Sequence, residues 1–173
     1  MIYKLPAAAI AAAMVIAGPA YGVDAPNDAQ IAHIAYTAGS IDVAAAKQAL
    51  AKSHNAAVRE FASEMVRDHE AVNMKALELV KALKVTPQDN PTSQALSEAA
   101  GETMSKLAAL DGAAFDKAYV DNEVSYHKTV NAALQSALIP SAHNAQLKSL
   151  LETGLTLFRE HQMHAEHLAS DLD

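Results

Sequence analysis

Beyond residue 27, apolar residues recur at intervals of three and four along almost the whole chain, the spacing of helices with one buried face. One stripe reads Val58, Phe61, Met65, His69, Val72, Ala76, Leu79, Leu83, and another Val120, Glu123, His127, Val130, Leu134, Leu138. A third runs Leu147, Leu151, Gly154, Phe158, His161, Ala165, Leu168, Leu172. The first segment offers Ile31, Ala35, Ala38, Asp42, Ala45 and Ala49, with a competing stripe through Ile34 and Ile41 that would leave Asp42 at its edge. Capping residues and breakers divide the pattern. Asn27-Asp28 opens a helix to about residue 53, and Asn55 opens a second to about 83. KVTPQDNP (84–91) breaks the chain with two prolines. Thr92 and Ser93 then cap a shorter helix over about 93–110, ended by Asp111-Gly112. A further helix covers about 113–138, stopped by Ile139-Pro140-Ser141, and the last about 142–172.

Four of these helices are similar in length, and the shorter one lies between the second and third of them. At 1.5 Å per residue it is about 27 Å long, enough to carry the chain from one end of a bundle to the other. A long crossover at the middle connection, with tight turns at the other two, predicts an all-α, ferritin-like four-helix bundle with an extra crossover helix. A simple up-down-up-down bundle with the short helix packed outside is the alternative. The sequence has no repeat and no second domain.

The polar interruptions of the stripes carry the chemistry. Asp42, His69 and His127 each lie about fourteen residues into their helices and His161 about eighteen, so all four fall about 21–27 Å from a helix end. Mid-height is preserved whether neighbours run parallel or antiparallel, so these four residues aim at one level of one core. Glu123 sits one turn before His127 on the same face. In REHQMHAEH (159–167) the three histidines are not equivalent: His161 is central, His164 is at the stripe's edge, and His167 is solvated.

A single core histidine is ordinarily structural, but several at one level, with carboxylates, each cost about 1–3 kcal/mol if left unsatisfied. A metal would satisfy them together, and imidazole with carboxylate suits zinc, iron, manganese or copper(II). The expected site is mononuclear: His69, His127 and His161 with Asp42 or Glu123. Asp68, preceded by Arg67, can orient a ligating imidazole, or it can form a solvated ion pair. Tyr119 and Tyr126 flank the Glu123–His127 face and are expected as core aromatics with bonded hydroxyls. Met65 beside His69 reads as filler rather than a copper ligand. No Glu-x-x-His occurs, and the nearest spacings are Glu123-x-x-x-His127 and Glu160-x-x-x-His164, which disfavours a di-iron oxidase.

Composition narrows the setting. The segment MIYKLPAAAIAAAMVIAGPAYG has a basic start, an apolar run and a small-x-small end, which is the pattern of a secretory signal peptide over 1–22. An uncleaved anchor is the alternative. The expected mature domain, 23–173, is exported to the periplasm or beyond, with envelope association open, and has no further segment able to cross a bilayer. The formal net charge is −7, and removing the signal takes away one lysine and no acid. That argues against nucleic acid and anionic lipid as partners. With no cysteine in the chain, thiolate sites for zinc, iron–sulfur or blue copper are excluded.

VREFASEMVRDHEAVN (58–73) and LDGAAFDKAYVDNEVSYHKTVNAAL (110–134), followed by one histidine in the last helix, resemble a family of exported bacterial proteins. It is the domain-of-unknown-function family four-one-four-two, often labelled as outer-membrane proteins. The resemblance covers about residues 28–170 and implies a ferritin-like fold. The family's pattern maps onto Asp68, His69, Phe115, Asp116, Tyr119, His127 and His161, with Asp42 where relatives typically carry Glu. It implies no activity. Three functions follow as expectations: metal buffering or stress protection at the mid-bundle site; a non-catalytic envelope or interaction protein with structural or pH-sensing core histidines; and a ferritin-like, metal-dependent oxidase or peroxidase.

Overall fold

The computed structural model describes residues 25–172, and the signal peptide expected at 1–22 lies outside them. The helices are α1 (Asp28–Lys52), α2 (Ala56–Ala82), α3 (Pro91–Ala108), α4 (Gly112–Ala133), a closing turn α5 (Ile139–Ser141) and α6 (Ala145–Asp171). Asparagine starts four of them. Asn27 and Asn90 form capping boxes with Gln30 and Ser93, while Asn55 and Asn144 each accept from two backbone N–H groups of the first turn.

Three boundaries differ from those expected. Helix α3 starts at Pro91, not at 93, because Asn90 is the cap and proline at the first position lacks only an N–H that would be unpaired anyway. Helix α6 starts at Ala145, not at 142, because Asn144 supplies its cap. The run expected to 138 leaves regular α geometry after Ala133 through a π turn over Leu134–Leu138, whose leucines at both ends stay buried.

Long-range hydrogen bonds fix the directions. Asp28 accepts from the backbone N–H groups of His143 and Asn144, at 2.8 and 2.9 Å, so α1 and α6 start at the same end, taken here as the lower one. Gln88 donates to the Ala29 carbonyl at 3.1 Å, which puts the start of α3 there too. At the upper end Lys52 reaches the Ala108 carbonyl and the Asp111 carboxylate, both at 2.9 Å. Helices α1, α3 and α6 therefore run upward, and α2 and α4 downward. Helix α1 packs against α2 and α4, and α6 packs against the same two, so neighbours are antiparallel and α3 climbs the outside of α1. The helix between the second and third long ones thus carries the chain from the lower end to the upper, which the simple up-down-up-down order would not require.

The core falls into two apolar clusters. The upper one is built on Val58, Phe61, Met65, Phe115, Tyr119, Val120, Ala165 and Leu168. Its aromatic rings lie 6.2 Å apart in the pairs Phe61–Tyr119 and Phe115–Tyr119. The lower one holds Ile31, Ile34, Leu134, Leu138, Leu147, Leu151 and Phe158. Between them, on every long helix, lies the polar residue that interrupts its stripe.

Close approach of α1 and α2 depends on Gly39, since a Cβ there would run into the side-chain amide of Asn73. Gly101, by contrast, has nothing within 4 Å of where its Cβ would stand. Gly39→Ala should therefore lower stability by about 1–3 kcal/mol through overpacking. Gly101→Ala should raise it by about 0.5–1 kcal/mol, because alanine is the better helix former. Urea midpoints of the two variants check both signs.

Candidate metal centre

The polar level consists of Asp42 on α1, His69 on α2, Glu123 and His127 on α4, and His161 on α6, none more than 3 % exposed. Each reaches the level because it replaces an apolar residue in its helix's buried stripe. The three imidazole rings are mutual neighbours, with centroids 5.6 Å apart for His69–His127, 5.3 Å for His69–His161 and 5.5 Å for His127–His161. One ring nitrogen from each lies within 4.8 Å of the others. Phe158 stacks on His69 at 4.6 Å and fixes the plane of that ring.

Hydrogen bonds set which nitrogens face inward. His127 Nδ1 is 3.0 Å from the carbonyl of Glu123, one turn back, so it carries the proton and donates. Its Nε2 then holds a lone pair, has no hydrogen-bond partner, and lies 3.5 Å from Asp42 Oδ2. His161 is arranged in the opposite sense. Its Nε2 donates to Asp68 Oδ2 at 3.1 Å, and the unpartnered Nδ1 faces the core. On His69 both nitrogens are unpartnered, with Nε2 3.5 Å from the same Asp42 oxygen. Asp42 Oδ2 therefore stands equally close to two imidazoles. Glu123, Asp42 and His127 form a second group with ligand atoms within 4.8 Å, and Glu123 Oε2 is 3.6 Å from His127 Nδ1.

Burial dominates the electrostatics. It holds His69 well below the ordinary histidine value, reinforced by the nearby His127 and His161. It takes His127 down from 6.5 to about 4, and lowers His161 against the opposing pull of Asp68. All three are thus neutral with lone pairs available near neutral pH. Burial pushes Asp42 up from 3.8 to about 7, and the Glu123 side chain offsets only part of this. Glu123 is raised well above the carboxylate range by burial and then by the Asp42 charge. Neutral imidazoles and reluctant carboxylates, without a cation among the residues of this level, are the donors a divalent ion would satisfy.

Several expectations change. Asp68 engages one of the expected imidazoles, that of His161 on α6, while also accepting from Arg67 at 2.7 and 2.9 Å. The ion pair and the imidazole contact coexist on its two oxygens. Tyr126 donates to the Ala38 carbonyl at 2.8 Å as expected, but the buried Tyr119 hydroxyl has no partner. Glu123 belongs to the level itself rather than to the turn above, through its contacts with His127 and Asp42. His164 lies at the flank, where its Nδ1 is 2.7 Å from Glu64 Oε2, and His167 is exposed. Glu64 was not singled out from the sequence, although its position one turn before Asp68 puts the two on one face. With Asp68 and His161 it forms a third, half-buried group of donors beside the first.

The family described as Domain of unknown function (DUF4142) matches residues 15–168, and the chain belongs to it. No curated protein matches the chain, and no solved structure does.

Without metal, Asp42 keeps its proton to about 7 when folded and loses it near 3.8 when unfolded. The stability it contributes is full below the lower value and lost as pH rises through the upper one. His127 acts in the opposite sense, contributing fully above 6.5 and losing that contribution as pH falls to about 4. Asp42→Asn removes the first effect alone. The metal-free variant should exceed the wild type by roughly 1–3 kcal/mol above about pH 7, with the gap closing towards about pH 4. Chemical denaturation across that range measures it, and a variant less stable at about pH 8 would contradict the assignment.

Proposed function

We propose that this chain is an exported, ferritin-like bundle protein that binds one divalent transition-metal ion for buffering or stress protection. His69, His127 and His161 would hold the ion, Asp42 would complete the set, and Glu123 would stand beside it. One observation carries this reading: three buried imidazoles from three helices bring one ring nitrogen each within 4.8 Å of the others, each ring has an unpartnered nitrogen, and two have their other nitrogen engaged. A structural histidine is placed to satisfy its hydrogen bonds, whereas these are placed with lone pairs unsatisfied.

The donor set fits the proposal. Metal–nitrogen bonds of about 2.0–2.1 Å in a tetrahedral site bring the nitrogens to about 3.4 Å from one another. Closing from within 4.8 Å asks for about an ångström of side-chain movement. Asp68 on His161 and the Glu123 carbonyl on His127 are the outer partners that ligating imidazoles ordinarily have. Among the described residues, only Asp42 and Glu123 supply carboxylates at this level, fewer than the di-iron oxidase arrangement requires. The ferritin-like assignment is supported by antiparallel neighbours and a crossover helix. Export is supported by the segment 1–22, and no described helix is long and apolar enough to cross a membrane.

The test is metal content of the untagged chain isolated from the export compartment without chelator. Near-stoichiometric metal is expected, absent from His161→Ala. Saturating the metal-free protein at a hundred times the dissociation constant with zinc, copper, iron or manganese should add about 2.7 kcal/mol of stability. Asp68→Asn should weaken that metal about 10–100-fold without abolishing binding. Metal-free protein with no melting shift from any of the four ions would reject the reading and leave the histidines as core residues.

A further inference from the structure

The lower half of the bundle is hollow. A cavity of about 630 Å³ extends through it, lined mainly by apolar side chains, among them Ala35, Ala76, Val80, Ala133, Leu151 and Gly154. Its inner end is formed by His69, His127 and Phe158. Its other end reaches Pro91, Thr92 and Ala95 in the first turns of α3, which are exposed. From His69 to Val80 the lining of α2 spans about 16 Å at the helical rise. At about 30 Å³ per water-sized unit, the cavity has room for about twenty non-hydrogen atoms. A preformed apolar cleft of this size, with a few convergent polar groups, is the ordinary form of a small-molecule site.

The lining also selects the ligand's charge. Among the described residues, no charged side chain lines the cavity; the polar ones are His69, Asn73, Thr92, Tyr126, Thr129 and His127. An anionic head would be buried without a counter-charge and would meet Asp42 and Glu123 just behind the imidazoles. Tyr126 already donates to Ala38, and the unpartnered ring nitrogens of His69 and His127 are closed off from the cavity. The uncharged, largely apolar lining therefore selects a neutral, apolar molecule.

We propose that this cavity binds a neutral, largely apolar molecule of about twenty non-hydrogen atoms, held by its apolar lining between the first turns of α3 and the rings of His69, His127 and Phe158. The proposal does not depend on metal binding, since the cavity belongs to the chain alone and leaves the imidazole lone pairs unused.

The experiment uses the full mature chain, stripped with chelator, at neutral pH. The neutral fluorophore N-phenyl-1-naphthylamine reports occupancy, and tetradecan-1-ol, tetradecane and tetradecanoate compete with it. The alcohol and the alkane should each displace the fluorophore at about tenfold or more lower concentration than the carboxylate, whose charge the uncharged lining leaves unpaired. Filling the space with Ala35→Leu and Ala76→Leu together should weaken the fluorophore at least about tenfold while keeping or raising the melting temperature. If that pair fails to fold, Ala133→Leu alone gives the same readout. No fluorophore binding, or binding unchanged in a folded filled variant, would overturn the cavity assignment. Displacement by tetradecanoate as readily as by the alcohol and the alkane would overturn the neutral ligand. Because no metal is present, either failure is distinct from a failure of the metal reading.

Discussion

Five ionisable side chains buried at one height govern the rest of the molecule. Asp42, His69, Glu123, His127 and His161 leave at least one polar atom each without a partner. At about 1–3 kcal/mol for each unsatisfied group, their sum approaches the whole stability of an ordinary domain. Such a level persists only if the helices carrying it are held firmly from elsewhere. The upper cluster does this, with Phe61, Met65, Phe115 and Tyr119 fully buried and in contact with α1, α2, α4 and α6 alike. The Asp28 bonds to the start of α6 and the Lys52 bonds to the end of α3 lock the two ends in register. Register matters because a helix shifted by one residue moves about 1.5 Å and turns about 100°, which would carry its histidine out of the core.

The level also divides two kinds of packing. Above it, Phe61, Phe115 and Tyr119 pack among alanines of α1, α2 and α6. Below it, leucines and Ile34 together with Ala35, Ala76, Ala133 and Gly154 line a cavity that ends on the rings of His69, His127 and Phe158. If only a rigid scaffold for a metal were needed, leucines at Ala35, Ala76 and Ala133 would fill the space and add stability, as large apolar residues do in cores. Retaining small residues at those positions gives up stability in the half of the bundle that opens towards α3. Chains keep such features where function sets the geometry.

Much of this was readable from residue order, and the parts that were not have specific causes. The helix count, the crossover and the mid-height histidines follow from the 3.6-residue period and the fixed rise, quantities a sequence carries directly. Asp42 was ambiguous because α1 is rich in alanine and buries a broad face, with Ile31, Ile34, Ala38 and Ala45 all inside. Two stripes fit such a face equally well. Which imidazole Asp68 serves was open in the sequence, because neighbours point to different sides of a helix: Asp68 faces α6 and His69 faces the core. The π turn after Ala133 had no visible signal, since its residues are ordinary helix formers. The cavity is a difference between volumes on five helices and has no local signature at all.

Asp42 is where these strands meet. A glutamate there, typical of the resembled family, has one more methylene to reach a shared point. The aspartate nonetheless places Oδ2 3.5 Å from Nε2 of both His69 and His127. That distance is too long for a good hydrogen bond and too short for indifference. That oxygen thus faces the lone pair of His127 Nε2, with burial holding the Asp42 proton on to about pH 7 against the opposing effect of the Glu123 side chain. Lone pairs of neutral imidazoles repel a carboxylate oxygen, so the apposition is favourable only with a cation or a proton between them. A proton satisfies one contact at a time; a divalent ion satisfies all of them together.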